Sequence, residues 1–390
     1  MACWPLKESK SVRILYGVTG EGMGHATRSL VAIEHLLRSG HEVRIVVSGR
    51  AHRFLHDRLA QHAAVTIDEI HGFTLTYFGN ELDRSESLFD NLRKAPKGIK
   101  KNIDVYRTHA EEGFKPEAVI SDFESYAALY GLNHFLPVIS IDNMQIINRG
   151  KHKKDVRGSK GFDFNLAKWA VKIKMPKAFH YLITSFFYPP VRKKYTTLVP
   201  PILRPAVLSA ERAPGEHVLV YQTQTTNKEL VVALKKLPYE FRVYGLGAKE
   251  AEANVQFRAF SDTGFVDDLR TARAVVAGGG FSLMSEAVSL GVPMLSVPVA
   301  RQYEQELNAR YLEQLGYGSW APELDLGVLG KFLDRTEKYT QNLRSFVRHD
   351  NAILFACLDE LLAGIAEGRP RPARLVTPAM GKWDPEGDEV

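Results

Sequence analysis

Gly17-Val18-Thr19-Gly20-Glu21-Gly22-Met23-Gly24-His25-Ala26-Thr27-Arg28 follows a short apolar run at 12–16. It precedes Ala26, Leu30, Ile33 and Leu37, which recur at helical spacing and line one apolar face. The stretch therefore reads as strand, glycine-rich loop, helix. Glycine lets the backbone turn tightly and lets a ligand approach it closely. A helix start adds free N–H groups and a partial positive charge. His25 stands at that start, with a ring that changes charge near neutral pH. Alternating glycines would also suit a dinucleotide cradle. However, the second strand, 43–47, runs into Ser48-Gly49-Arg50, where such a cradle needs an acidic residue.

Outward from this loop the strand–helix alternation continues. Strands are expected at 43–47, 65–70, 118–121, 137–141 and 180–185, with helices at 51–61, 99–112 and 125–132. Such alternation implies right-handed crossovers and a doubly wound parallel sheet, an α/β fold. Asp122 stands at the carboxyl end of its strand, where ligands of open α/β sheets bind. Pro200-Pro201-Ile202-Leu203-Arg204-Pro205 reads as a rigid connector. Beyond it the pattern restarts, with strands at 217–222, 241–244, 255–259, 274–277 and 294–297.

The second half has its own loops. Thr223-Gln224-Thr225-Thr226-Asn227 is polar and precedes a helix at 228–236. Gly278-Gly279-Gly280-Phe281-Ser282 repeats the order strand, glycine loop, helix, which suits a diphosphate. Glu286, further along that helix, could accept two ribose hydroxyls or could be a solvated carboxylate. Glu304 and Gln305, at the start of a helix at 307–315, suit a polyhydroxylated sugar or an ordinary surface. Helices follow at 326–336 and 341–365. Residues 367–390, proline-rich with an acidic end, read as disordered.

A chain of 390 residues leads to an expectation of two domains. The net charge of +6 fits an anionic ligand, an anionic membrane surface or a solvated basic surface. Cys3 and Cys357 lie far apart and form neither a metal-ligand spacing nor a disulfide framework. A reducing, cytoplasmic setting is expected. No secretory signal pattern and no membrane-length apolar run is read. The stretch 148–195 mixes bases (Lys151, Lys153, Lys154, Lys172, Lys174) with aromatics (Phe162, Phe164, Trp169, Phe186, Phe187, Tyr188). It is either an acceptor-binding surface or a peripheral contact with the inner face of a membrane, or else a surface loop followed by a core helix and a buried strand. Nothing in the chain matches a nucleic-acid-binding motif.

The order of His25 in its glycine loop, Asp122, the triple glycine with Glu286, and Glu304-Gln305 resembles the GT-B glycosyltransferases. The nearest likeness is to the lipid II N-acetylglucosaminyltransferase and UDP-glycosyltransferase families. It covers roughly 12–366. The resemblance implies two Rossmann-like domains facing a cleft: after a lead-in at 1–11, an acceptor-binding domain at 12–203 and a nucleotide-sugar domain at 204–340. Helices at 341–366 could cross back to the first, and 367–390 form the tail.

It also implies roles. Gly22 and Gly24 would belong to the acceptor-side loop, His25 would be the general base and Asp122 its orienting carboxylate. Thr223, Phe265, Gly279, Gly280, Phe281, Ser282, Glu286, Glu304 and Gln305 would bind the donor, with the backbone at Phe265 receiving the nucleobase. Two departures stand out: the 223–227 loop lacks glycine, and the diphosphate loop starts with glycine where the plant enzymes carry histidine. The implied reaction is inverting transfer from a nucleotide sugar, with a UDP-sugar as the expected donor, to a lipid, cell-envelope or small-molecule hydroxyl. No metal and no cofactor are called for. A nucleotide-sugar 2-epimerase or hydrolase, or a non-catalytic sugar-nucleotide-binding protein, would share the fold.

Overall fold

The computed structural model describes residues 10–377, apart from 21, 73–75, 79–80, 159–160, 223–227, 248, 260, 301 and 376. The opening strand β1 (Arg13–Val18) is buried after its first residue and feeds helix α1 (Met23–Arg38). Then come β2 (Glu42–Val47), α2 (Gly49–Leu59) and β3 (Val65–Glu69). A hairpin, β4 (Thr76–Phe78) with β5 (Glu81–Asp83), leads into α3 (Arg84–Glu111). Next are β6 (Ala118–Asp122), α4 (Ser125–Asn133), β7 (Val138–Asp142), the short helices α5 (Ile146–Arg149) and α6 (Lys154–Arg157), α7 (Gly161–Lys174), β8 (His180–Thr184) and β9 (Thr196–Val199). Seven of these strands form one parallel sheet in the order β3-β2-β1-β6-β7-β8-β9. Strands buried on both faces are mainly apolar, and β6 and β7 are buried at every position, with Ser121, Asp122, Ser140 and Asp142 as their polar residues.

After α8 (Pro205–Ser209) a second sheet begins. It uses β10 (Val218–Tyr221), α9 (Lys228–Leu234), β11 (Phe241–Tyr244), β12 (Val255–Arg258), α10 (Asp262–Thr271), β13 (Ala274–Ala277) and α11 (Phe281–Ser289). β14 (Met294–Ser296), α12 (Tyr303–Gln314) and β15 (Gly318–Trp320) complete it, in the parallel order β12-β11-β10-β13-β14-β15. Strand order reverses at β1/β6 in the first sheet and at β10/β13 in the second. A crevice opens off the strand ends at such a switch point. Each glycine loop lies at one of them.

Helices α13 (Leu326–Leu333) and α14 (Thr336–Leu343) pack with the second sheet. The last helix, α15 (Ala352–Ala366), buries Leu354, Leu358, Leu361 and Leu362 in the core of the first sheet. His35 ties it there, stacking on Phe355 at 4.0 Å and pairing with Asp359 at 2.7 Å. Among the described residues no helix is long and apolar enough to cross a membrane.

Several sequence expectations need correction. Strands β4, β5, β9 and β15 were not expected. Helix α3 begins well before 99, and α12 begins at Tyr303 rather than 307. Disorder from 367 onward does not hold for the described part of that segment. Tyr195 donates its amide to the Ala373 carbonyl at 2.6 Å, and Leu375 donates its amide to Thr197 Oγ1 at 3.1 Å, so this segment lies along edge strand β9.

Most aromatics of 148–195 are also internal. Phe187 stacks on Tyr311 at 3.9 Å, Phe186 on Phe281 at 5.9 Å, and Phe164 meets Tyr303 edge-on at 5.5 Å. These rings join the two lobes. His152 Nδ1 lies 2.8 Å from the Tyr311 hydroxyl, and the Tyr303 hydroxyl donates to the Arg157 carbonyl at 2.8 Å.

Candidate active site

Asp122 ends β6 and is 1% exposed. The chain then turns through Phe123, whose φ of 53° is rare for a side chain of this size. Ser121 Oγ holds the turn, donating to the Glu124 carbonyl at 2.8 Å and accepting the Glu124 amide at 2.9 Å. Glu124 in turn caps α4 by accepting the amides of Tyr126 and Ala127. A strained residue held this firmly marks a place where geometry matters.

At the neighbouring strand end, Gly22 starts α1 with φ 82°, and no side chain caps the helix. One turn in, three side chains converge on Asp122. His25 Nδ1 lies 2.8 Å from Oδ1, Arg28 Nε donates to Oδ2 at 2.8 Å, and Ser29 Oγ donates to Oδ2 at 2.9 Å. The Arg28 fork also donates to Oδ1. The same guanidinium lies 2.8 Å from His25 Nδ1, so two partners compete for that nitrogen. If Nδ1 were bare, its lone pair would face the carboxylate at hydrogen-bond distance. The proton therefore belongs on Nδ1, and among the described residues nothing engages the Nε2 lone pair.

The charges agree with this state. Burial alone would raise the Asp122 carboxyl, but Arg28 and His25 more than offset it and hold it well below the usual range. Burial lowers the His25 pKa, Arg28 lowers it further, and Asp122 only partly opposes them. His25 is thus a neutral imidazole at neutral pH.

The second lobe meets this site directly. A Cβ at Gly24 would lie 2.5 Å from Ser282 Oγ, so only glycine lets α1 approach the first turn of α11 this closely. Gly280 precedes α11 without a side-chain cap, and a Cβ there would meet open space. Open space before an uncapped helix start is suited to an anion. Glu304 lies on the first turn of α12. Burial pushes its carboxyl up to about 7 against the pull of Arg28 across the cleft. Asp142, at the end of β7, is buried and pushed up to about 6 by desolvation. It accepts Ser140 Oγ at 2.6 Å and the Gln145 amide at 2.8 Å.

Beside the Asp122 turn lies an open pocket of about 620 Å³, lined mainly by apolar surface. Thr19, Glu124 and Lys174 form part of its polar lining, and Ile99, Tyr106 and Leu129 part of its apolar lining.

Residues 12–337 match the model of glycosyl transferase family 1. The chain belongs to that family. It is 28% identical over 378 residues to an uncharacterized glycosyltransferase of Methanosarcina mazei, covering 86% of this chain and 94% of that protein. A Methanosarcina acetivorans glycosyltransferase, also uncharacterized, is 28% identical over 357 residues, covering 83% and 90%. Among solved structures, Arabidopsis thaliana UGT89C1 complexed with UDP-L-rhamnose aligns with TM-score 0.64 at 14% identity, over 92% of this chain and 100% of that one. CalG4, the calicheamicin glycosyltransferase, gives TM-score 0.57 at 16% identity, over 93% and 100%. The fold is GT-B, and the protein is a glycosyltransferase.

In this glycosyltransferase the residues expected at the site are not all free to act as expected. Gln305 Oε1 accepts the amides of Gly279 and Val299, both at 3.0 Å. Its amide therefore braces the glycine loop, and the Gly279 N–H is already engaged. Phe265 lies inside α10, its N–H donating to the Ser261 carbonyl at 2.9 Å and its ring packed against Tyr244 at 4.9 Å. That N–H is thus not free for a nucleobase. Glu286 is gripped on both oxygens by Arg204, at 2.7 and 2.9 Å. A carboxylate has lone pairs to spare for hydroxyls beyond such a fork. Phe281 is buried against Phe186 of the first lobe. Thr223 lies outside the described residues.

Arg28 and Arg204 were missed by sequence reasoning. Arg28 could have been suspected, because it follows His25 at i+3 on the same helix face.

Proposed function

We propose that this glycosyltransferase moves a sugar from a nucleoside diphosphate donor, most simply a UDP-sugar, to a hydroxyl of an amphiphilic acceptor, with inversion. The observation that carries the reading is the placement of His25, its Nδ1 on buried Asp122 and its Nε2 unengaged among the described residues, next to the point where Gly24 touches the start of α11. A base at that point can serve an acceptor held by the first lobe while the second lobe holds the donor.

In the reaction Nε2 takes the acceptor proton. The acceptor oxygen bonds to the anomeric carbon as the bond from that carbon to the diphosphate oxygen breaks. Attack from the face opposite the leaving group inverts the centre. Asp122 stabilises the imidazolium that forms. The uncapped amides at the start of α11 take up charge developing on the diphosphate. Glu286, preset by Arg204, would accept ribose hydroxyls, and Glu304 would accept hydroxyls of the sugar. The apolar pocket beside the Asp122 turn supports an acceptor with a hydrocarbon part.

A thermal-shift series across nucleoside diphosphates tests the donor side, and the anomeric configuration of the product tests the mechanism. UDP should raise the unfolding temperature, and the product should carry the opposite configuration to the donor. A retained configuration, or no stabilisation by any nucleotide, would contradict the reading.

A further inference from the structure

Helix α7 is apolar on two faces. Phe164 and Val171, with Met175 just past the helix end, are buried in the core shared by both lobes. Leu166, Trp169 and Ile173, at i, i+3 and i+7, form a second stripe that is 37%, 62% and 54% exposed. Leaving an indole this open is unfavourable unless something covers it.

Beside the stripe is a knot of cations. Lys168 and Lys172 come from α7, and Arg192 and Lys193 from the segment before β9. Burial and then the nearby Arg192 and Lys172 lower the Lys168 pKa. Burial, then Arg149, Arg192, Lys168 and Lys172, bring Lys193 down to about 8. Arg192 and Lys193 are held by Asn148, whose carbonyl and side-chain oxygen accept from them. Among the described residues none of the four cations pairs with a carboxylate. Like charges gathered without a counter-charge repel, and an external anion would relieve that repulsion.

An exposed Trp and aliphatic stripe flanked by cations has the make-up of a helix lying in the boundary between headgroups and acyl chains. The helix also has a telling position. It starts against Tyr303 of the second lobe and ends at Lys174, in the wall of the apolar pocket.

We propose that this face of α7 seats the protein on an anionic phospholipid bilayer, with Leu166, Trp169 and Ile173 in the boundary layer and Lys168, Lys172, Arg192 and Lys193 on the lipid phosphates. Seated in this way, the chain brings the acceptor pocket to the bilayer surface. The proposal rests on this surface alone and does not depend on which sugar is transferred.

Co-sedimentation of the full chain with vesicles tests it, using phosphatidylcholine alone and a phosphatidylglycerol–phosphatidylcholine mixture. The protein should pellet with the mixture and not with phosphatidylcholine. Two variants, Trp169→Glu and Lys168→Glu/Lys172→Glu, should each bind the mixture about tenfold or more weakly. Both should keep the unfolding temperature of the parent protein and its shift with UDP, so a failure of the nucleotide reading would show separately. Absence of binding by the parent protein, or binding by both variants as tight as the parent's, would overturn the proposal. Sedimentation velocity without vesicles covers the remaining occupant. A dimer abolished by Trp169→Glu, with no vesicle binding, would assign the face to a second copy of the chain and overturn the lipid assignment.

Discussion

Arg28 carries a charge that works against its neighbour. It pairs with Asp122 and, after burial, is the main influence that keeps His25 from being protonated. The sign of its removal follows. Without the guanidinium, only burial and Lys174 oppose Asp122, and the His25 pKa rises. The acidic limb of the kcat/KM profile, which in the parent protein should lie below the ordinary imidazole value, should move to higher pH in Arg28→Gln. Measuring kcat/KM between pH 5 and pH 8 checks this (about the span over which histidine titrates). Unmoved limbs in both proteins would remove Arg28 from the control of the base. Lysine should restore the charge but not the two-pronged grip on Asp122. At this scale His25 and Asp122 were legible in the sequence, one from its glycine loop and the other from its strand end. The work of Gln305 and Arg204 was not, because their partners are reached only through the fold: Val299 and the Gly279 amide for Gln305, and Glu286 for Arg204.

Strand ends and helix starts carry the chemistry here. Both glycine loops sit where strand order reverses, and α1 and α11 touch across the cleft at Gly24 and Ser282. Gly24→Ala should strengthen α1 by propensity. Yet its Cβ would sit 3.0 Å from Ser282 Cβ and closer still to the hydroxyl, so the lobes must part slightly. Turnover should fall by about ten- to a hundredfold, as a small misplacement of reacting groups does. The same change should cost less in a Ser282→Gly background, which a double-mutant cycle measures. Equal losses in both backgrounds would mean that the contact does not set the approach of the lobes. Long buried strands and their helices were readable from apolar runs and periodicity. Among the missed strands, β9 and β15 span only four and three residues. They owe their state to pairing with β8 and β14 rather than to any pattern of their own.

For the molecule as a whole, the two lobes are fastened together in more than one way. Phe164 and Phe187 of the first lobe meet Tyr303 and Tyr311 of the second, and α15 returns from the second lobe to fill the core of the first. The sequence showed bases and aromatics in 148–195 but could not say which rings face inward, since that depends on where the second lobe sits. Leu358 is fully buried in this returning helix. Leu358→Ala should cost roughly 2–5 kcal/mol, the usual range for such a cavity. Calorimetry should show a lower unfolding temperature, and an unchanged one would mean that α15 is not part of the first lobe's core. The central claim is that one lobe supplies the base and the other the nucleotide, so the two functions should separate. Turnover by His25→Ala, measured alongside its affinity for UDP, tests this most directly. The account predicts a loss of about 10²–10⁴-fold in turnover, the usual worth of a positioned base, with UDP affinity unchanged. Turnover equal to that of the parent protein would contradict it.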